Sequence, residues 1–304
     1  MPSTIVIDFN DSTRGRDALA LARSLADITG GRFVTVTSYD RDRYGMLPIQ
    51  GWHLAMPEET KAPADLAKCL MADEPGAVAR VVGATSPARA LHETAEREQA
   101  DLIVLSSDTR ASDGRVAAGA TGRPALQGAP CAVALAPAGF AETRGSLAPV
   151  GAGFDGSWES RLALSSAAGL AESVSGELRV ISAFKRPAPA NPMFALTSYH
   201  EHLAQLHDQR REDLIEAIDA LPVHPQSTPL LIEGEPADVL VAETAELGLL
   251  VVGSRGYGPL RRVLLGSVSD ALREYAACPL MIVPRGVQRA FGAPSLHTRP
   301  ARSH

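Results

Sequence analysis

The chain repeats itself, and an internal repeat constrains the fold more strongly than any other feature of a sequence. The segment TIVIDFNDS near the start resembles PVGAGFDGS near the middle, and ADLIVLSSDTR resembles LGLLVVGSRGY in the same way. Four residue pairs share a separation of 147 positions: Asp8 with Asp155, Leu102 with Leu249, Gly119 with Gly266, and Cys131 with Cys278. Because 304 residues suffice for two domains, we predict one domain at residues 1–146 and a second copy at 147–286.

Within each copy, short apolar runs alternate with segments of helical periodicity. The order is strand, helix, strand, long loop, helix, strand, helix, strand, helix, strand. In the second copy the predicted helices cover residues 158–175, 199–221, 236–247 and 267–277. Apolar strands that alternate with helices are typical of a parallel sheet covered on both faces. We therefore predict two tandem α/β domains, each an open, doubly wound, Rossmann-like sheet of five parallel strands. Such sheets bind ligands beyond the carboxyl ends of the strands, where the strand order reverses.

Composition and charge exclude several classes of function. The formal charge of −6 argues against nucleic acid or an anionic membrane as the main partner. No apolar run approaches the length of a membrane span, and a strand-like segment rather than a secretory signal follows Met1, so we expect a cytoplasmic protein. Three scattered cysteines do not form a disulfide framework, and we expect Cys131 and Cys278 to be small buried apolar groups. The polar segment 287–304 lacks periodicity and is predicted to be disordered.

A glycine-rich loop in the second copy is the strongest candidate for a binding site. A buried strand runs into Gly253, Gly256 follows, and Gly266 then precedes a helix that begins with Ser267 and contains Ser269. Glycine lets the backbone turn with positive φ and approach a ligand closely. The unpaired N–H groups and the dipole of the helix N-terminus favour an anion such as phosphate. The alternative is structural: the glycines are ordinary turn residues, and Ser267 caps the helix in a box with Asp270.

The spacing Gly253-x2-Gly256-x9-Gly266-Ser267, together with Asp155–Gly156–Ser157 after the first strand of the second copy, resembles the nucleotide-binding signature of tandem universal stress proteins. The resemblance covers both copies and implies a fold of the adenine nucleotide alpha hydrolase type with bound ATP or ADP. ATP would bring Mg²⁺, for which Asp155 is the obvious carboxylate. The resemblance implies a nucleotide site formed by Asp155, Gly156, Ser157, Ile181, Ala183, Val252, Gly253, Gly256, Gly266, Ser267, Val268 and Ser269, and we add Arg255 from its position in the loop. Arg255, Arg261 and Arg262 are either countercharges for phosphate or solvated loop arginines.

The first copy departs from this signature. Ser106, Thr109 and Ala120 replace Gly253, Gly256 and Ser267, and Gly122 replaces Ser269, while Asp108 and Asp113 bring negative charge that repels phosphate. Asp8 is followed by Phe9 and Asn10 rather than by Gly and Ser. We therefore predict one nucleotide per chain. The resemblance also implies that the copies pack as a pseudo-twofold pair through their fifth strands, CAVALAP and PLMIVP. We expect two such chains to form a homodimer, and we expect protein partners whose identity the sequence does not indicate.

Three functions fit these features. The first is a nucleotide-dependent sensor or adaptor in stress response, which the lack of a candidate general base beside the loop favours. The second is a slow ATPase or self-phosphorylating enzyme, with Ser267 or Ser269 as the acceptor. The third is an interaction module without a nucleotide. Because no general base is evident, we predict no catalytic residue. We also predict no metal site, because His200, His202 and His207 fit a solvated helix face better than a metal site.

Overall fold

The structure is a computed structural model that describes residues 2–10, 12–40, 65, 77–143, 145–186, 196–254 and 266–292, with side chains from residue 203 onward in the helix that starts at 196. Ten strands form one sheet in the order β3-β2-β1-β4-β5-β10-β9-β6-β7-β8. Their bounds are β1 Thr4–Asp8, β2 Arg32–Asp40, β3 Val78–Ala84, β4 Leu102–Ser106, β5 Ala132–Ala136, β6 Val150–Gly153, β7 Leu178–Phe184, β8 Ser227–Glu233, β9 Leu249–Gly253 and β10 Leu280–Val283.

Helices cover both faces of this sheet. They are α1 Thr13–Thr29, α2 Pro87–Glu98, α3 Gly122–Leu126, α4 Phe140–Thr143, α5 Trp158–Ser173, α6 Leu196–Asp219, α7 Pro236–Glu243 and α8 Ser267–Tyr275, and a turn of 3₁₀ helix covers Thr244–Glu246. One apolar cluster contains Leu21 of α1 and Leu164 of α5. The other contains Leu91 of α2 and Leu272 of α8, on the opposite face. Each cluster draws on both halves of the chain, so the two halves share their cores.

The two halves meet at their fifth strands, as the resemblance implies. Within each half the strands run parallel, in the order 3-2-1-4-5. β5 and β10 pair antiparallel, with Leu135 opposite Leu280 and Val133 opposite Ile282. This pairing joins two doubly wound five-stranded sheets into one sheet, which confirms the predicted α/β class and leaves β3 and β8 at the outer edges.

The strand register corrects the predicted pairing of the two copies. The Phe9 N–H donates to the Val36 carbonyl (3.0 Å), and the Phe154 N–H donates to the Ile181 carbonyl (2.8 Å). Ile5 lies opposite Leu102, as Val150 lies opposite Leu249. The first strands therefore match with a separation of 145 positions, while the fourth strands keep the predicted 147.

As a consequence, the predicted equivalence of Asp8 and Asp155 is wrong by two residues. Asp8 ends β1 where Gly153 ends β6, and Asn10 holds the place of Asp155. Two serines fit the same register, because Ser12 and Ser157 are the N-caps of α1 and α5 and each accepts a backbone N–H three residues later.

The start of α8 and the C-terminal segment also differ from prediction. The N-cap of α8 is Gly266, which has no side-chain capping bond, so Ser267 is the first helical residue and the predicted box with Asp270 does not form. The predicted disorder is wrong for residues 287–292. Val287 and Phe291 are buried, and the Phe291 N–H donates to Ser166 Oγ (3.0 Å). Residues 293–304 lie outside the described part of the chain.

A buried carboxylate holds the segment that connects the two halves. Asp17, on α1, is fully buried and accepts the backbone N–H groups of Gly139 and Ala141, each at 2.9 Å. Arg14 donates to the same carboxylate at 3.4 Å and also to the Ala111 carbonyl at 3.1 Å. Because Gly139 and Ala141 flank the start of α4, Asp17 fixes the chain immediately after β5.

We expect Asp17→Ala to lower the free energy of unfolding by about 2–4 kcal/mol, since it leaves two partly buried N–H donors and Arg14 without this shared acceptor. Asp17→Asn keeps one acceptor oxygen and should lose less. Urea denaturation followed by circular dichroism measures both. Equal stability of Asp17→Ala and the wild type would show that this carboxylate does not hold the connection.

Asp8 predicts a pH dependence of stability. Burial raises the pKa of Asp8 from 3.8 to about 6, so between these values the folded state binds more protons than the unfolded chain, and stability falls as the pH rises. We expect Asp8→Asn to raise the free energy of unfolding by about 2–3 kcal/mol at pH 7.5, with the gain vanishing below about pH 4. Urea denaturation across this range measures the change, and Asp27→Asn on the exposed side of α1 is the control.

Candidate functional site

The candidate site lies at the switch point of the second half. β6 and β9 are neighbours in the sheet. After β6 the chain continues to β7 on one side of this pair, and after β9 it continues to β10 on the other side. Connections that leave two neighbouring strands in opposite directions open a crevice at the carboxyl ends of those strands. Two helices begin at this edge, α5 directly after β6 and α8 after the loop that follows β9. The fold therefore brings the predicted aspartate turn and the predicted anion-binding helix to one end of the sheet.

The turn between β6 and α5 fixes Asp155 at this edge. Gly156 has a φ of +82°, a conformation that side chains disfavour. The Ser157 N–H donates to Asp155 Oδ1 (2.9 Å), and Ser157 Oγ in turn accepts the Ser160 N–H (3.2 Å). Asp155 is exposed. One carboxylate oxygen thus organises the turn while the residue faces the solvent side of the crevice.

Gly253 is required by packing inside the protein. A Cβ on this residue would lie 2.6 Å from the carbonyl carbon of Glu159 and 2.8 Å from the Ser160 nitrogen. The glycine thus lets the first turn of α5 approach the end of β9. The sequence predicts a close approach of the backbone at Gly253, and in the described residues the group that approaches is this helix. Val252, one residue earlier, is buried in the sheet.

The first turn of α8 forms the second wall of the site. Gly266 has an extended backbone, and its carbonyl accepts the Asp270 N–H (2.9 Å). Ser267 is exposed, whereas Ser269 is buried and its hydroxyl donates to the Gly253 carbonyl (3.4 Å). Val268 packs against the apolar cluster under α8. Ser269 therefore ties the helix to the end of β9, while Ser267 is exposed at the helix start, where the first N–H groups lack a partner within the helix.

A negative charge in this first turn is compensated by two arginines. Asp270 accepts from Arg273 Nε at 2.9 Å and lies 3.8 Å from the guanidinium of Arg123, which belongs to α3 in the first half. Unpaired, a carboxylate at this position would oppose an incoming anion. Sequence reasoning missed Arg123, because only the assembled fold brings α3 beside α8.

The end of β7 contributes backbone rather than side chains. Ile181 is buried, and its carbonyl is already used by the Phe154 N–H. Ala183 lies two residues beyond the last pairing of β7 with β6, so it is better placed than Ile181 to offer backbone groups to a ligand in the crevice.

In the first half a carboxylate lies at the start of the segment that corresponds to the predicted phosphate-binding turn. A methyl group on Gly119 would lie 2.4 Å from a carboxylate oxygen of Asp108, so this side chain lies directly against the residue equivalent to Gly266. Arg110 donates to Asp108 at 3.0 Å, and this hydrogen bond holds the pKa of Asp108 below its usual value. α3 begins only at Gly122. The first half thus has a carboxylate against Gly119, and its helix α3 begins later after that glycine and is shorter than α8.

Several predicted features fall outside the described residues. Arg255, Gly256, Arg261 and Arg262 are among them, so their predicted roles remain predictions. In the described part of the chain, no group of three or more His, Cys, Asp or Glu side chains could hold a metal ion. His207 contacts the ring of Phe184 edge-on, with 6.0 Å between centroids. No helix in the same part is both long and apolar enough to cross a bilayer.

Comparison with known proteins agrees with this architecture. Universal stress protein YxiE of Bacillus subtilis (strain 168) is 40% identical over 60 residues, which cover 19% of this chain and 40% of that protein. A universal stress protein of Thermus aquaticus is 29% identical over 137 residues, which cover 43% of this chain and 93% of that protein. The crystal structure of a universal stress protein from Archaeoglobus fulgidus DSM 4304 covers 93% of this chain and 98% of its own, with a TM-score of 0.58 and 14% identity, and shares the fold.

The family assignment itself rests on a match to both halves of the chain. The model of the universal stress protein family matches residues 1–137 and again residues 148–284. The two matches include the β1–β5 and β6–β10 halves of the sheet. The chain is a tandem member of the universal stress protein family.

Proposed function

We propose that this protein is an ATP-binding regulator of stress response that holds one nucleotide per chain, in its second half. The observation that carries the proposal is the contrast between the two anion sites. Gly266 precedes a nine-residue helix without a side-chain cap, whereas the equivalent Gly119 is covered by the carboxylate of Asp108. The helix start after Gly266 attracts phosphate, whereas the Asp108 carboxylate beside Gly119 repels phosphate.

In this proposal the site residues divide into two groups. Asp155, Gly156 and Ser157, with the backbone of Ile181 and Ala183, surround the adenosine end of the ligand. Val252 and Gly253 lie along the ribose, and Gly266, Ser267, Val268 and Ser269, with Arg255 and Gly256, surround the phosphates. The residues fit such a ligand, because a turn with an exposed carboxylate and a helix start without a side-chain cap lie at the same end of the sheet. Mg²⁺ would enter with the phosphates and meet Asp155 as its protein carboxylate.

Titration calorimetry with ATP should give one site per chain, and mass spectrometry of denatured, freshly purified protein should detect ATP or ADP. Asp155→Asn keeps the oxygen that accepts the Ser157 N–H but removes the charge, so we expect both ATP and adenosine to bind about tenfold more weakly. Asn10→Ala at the equivalent place in the first half is the matched control and should bind like the wild type. Clean apo protein that binds neither ATP nor ADP would overturn the proposal.

We also propose that the bound nucleotide acts as a signal rather than as a substrate. Ser267, at the first position of α8, is exposed, and in the described residues no hydrogen bond joins its hydroxyl to a general base. Phosphate release from saturating ATP should therefore equal that of a buffer control. Release that is lost in Ser267→Ala would instead show that the protein is a slow ATPase.

A further inference from the structure

The C-terminal end of α8 is bound by the first half of the chain. The last carbonyl groups of a helix have no partner within the helix, and here three of them accept donors from one segment, residues 115–118, which we term the capping segment. The Ala118 N–H donates to the Arg273 carbonyl (2.8 Å), and the Val116 N–H donates to the Ala276 carbonyl (2.8 Å). Arg115 Nη1 donates to the Tyr275 carbonyl (2.9 Å). The Arg115 cation thus lies at the negative end of the helix dipole.

The capping segment is itself held firmly in the first half. Ser107 Oγ donates to the Ala136 carbonyl of β5 (2.7 Å) and accepts the Ala117 N–H (3.1 Å). The Ala138 N–H donates to the Arg115 carbonyl (3.0 Å). The segment is therefore tied to the end of β5, the strand through which the two halves pair, and it presents fixed donors to α8.

The first half also reaches the other end of the same helix. Arg123 of α3 pairs with Asp270 in the first turn of α8 at 3.8 Å, and both side chains are partly exposed. The buried Arg273 pairs with Asp270 from within the helix. Arg123 therefore offsets a negative charge next to the N–H groups that would meet phosphate, and Arg115 anchors the opposite end.

We propose that the first half has become a positioning element for the phosphate-binding helix of the second half, with Arg115 and Arg123 as its positioning residues. The inference rests on the proposed nucleotide site and adds which residues determine the affinity of that site for the phosphates. Arg115 fixes where the N-terminus of α8 points, because a helix capped at one end by a rigid segment cannot tilt freely at the other. Arg123 sets the charge that an incoming triphosphate meets.

The test compares ATP with adenosine in the full-length protein. Arg115→Ala and Arg123→Ala should each weaken ATP binding by about three- to tenfold and leave adenosine binding unchanged, as measured by titration calorimetry at low salt. Arg115→Lys and Arg123→Lys keep the charge and should recover most of the ATP affinity. Arg89→Ala, which removes an exposed arginine that pairs with Glu93 within α2, is the control for net charge and should bind like the wild type.

The outcomes separate this inference from the proposed function. Wild-type protein that does not bind ATP or ADP overturns both. Wild-type protein that binds ATP, with alanine variants that bind ATP equally well, overturns only the positioning role. A parallel loss of ATP and adenosine affinity also overturns it, because a merely structural effect would not distinguish the phosphates. Thermal unfolding of each variant checks that the exposed substitutions leave the protein folded.

Discussion

The antiparallel pairing of β5 with β10 is the interaction on which the rest of the structure depends. Each half alone would expose its fifth strand as an open edge, and an apolar edge invites association with other chains. Pairing within one chain covers both edges and makes the sheet continuous. Because all strands of one half run parallel, the single antiparallel step relates the halves by an approximate twofold axis at this pair. The loop that follows β4 and the helices α3 and α8 consequently meet around the axis.

Asymmetry around this axis follows from a few side chains. In the first half, Ser107 and Asp108 fold their loop into a compact unit, and the loop uses its spare N–H groups on the carbonyls of α8. The first half therefore cannot keep an open phosphate loop and also supply the capping segment from the same residues. The loop that departs from the glycine signature is also the loop that contacts the neighbouring helix across the axis.

Much of the fold was predictable because the repeat and the strands have strong local signals. Apolar runs such as LIVLS and LLVVG fix strand positions, and the doubling of the pattern fixes the two halves. The predicted register of the first strand is wrong, because it pairs the two carboxylates Asp8 and Asp155 instead of the residues that occupy equivalent places in the sheet. The better signal was present in FNDS and FDGS, where an aromatic residue and a capping serine recur with the same spacing. Local pattern also missed Phe291, whose burial depends on the distant Ser166 and on the apolar cluster of α1 and α5.

For the candidate site, the structure supplies physical reasons that the sequence alone did not indicate. Gly253 was expected to admit a ligand, yet the contact that demands a glycine there is with the first turn of α5. Such a contact still serves a site, since it draws the turn that holds Asp155 toward the end of β9, and Ser269 then ties α8 to the same point. A larger residue at this position would push the turn that holds Asp155 away from the end of β9 and from the start of α8. Gly253 thus sets how closely two helix starts and a strand end converge, and the proposed anion site depends on that convergence.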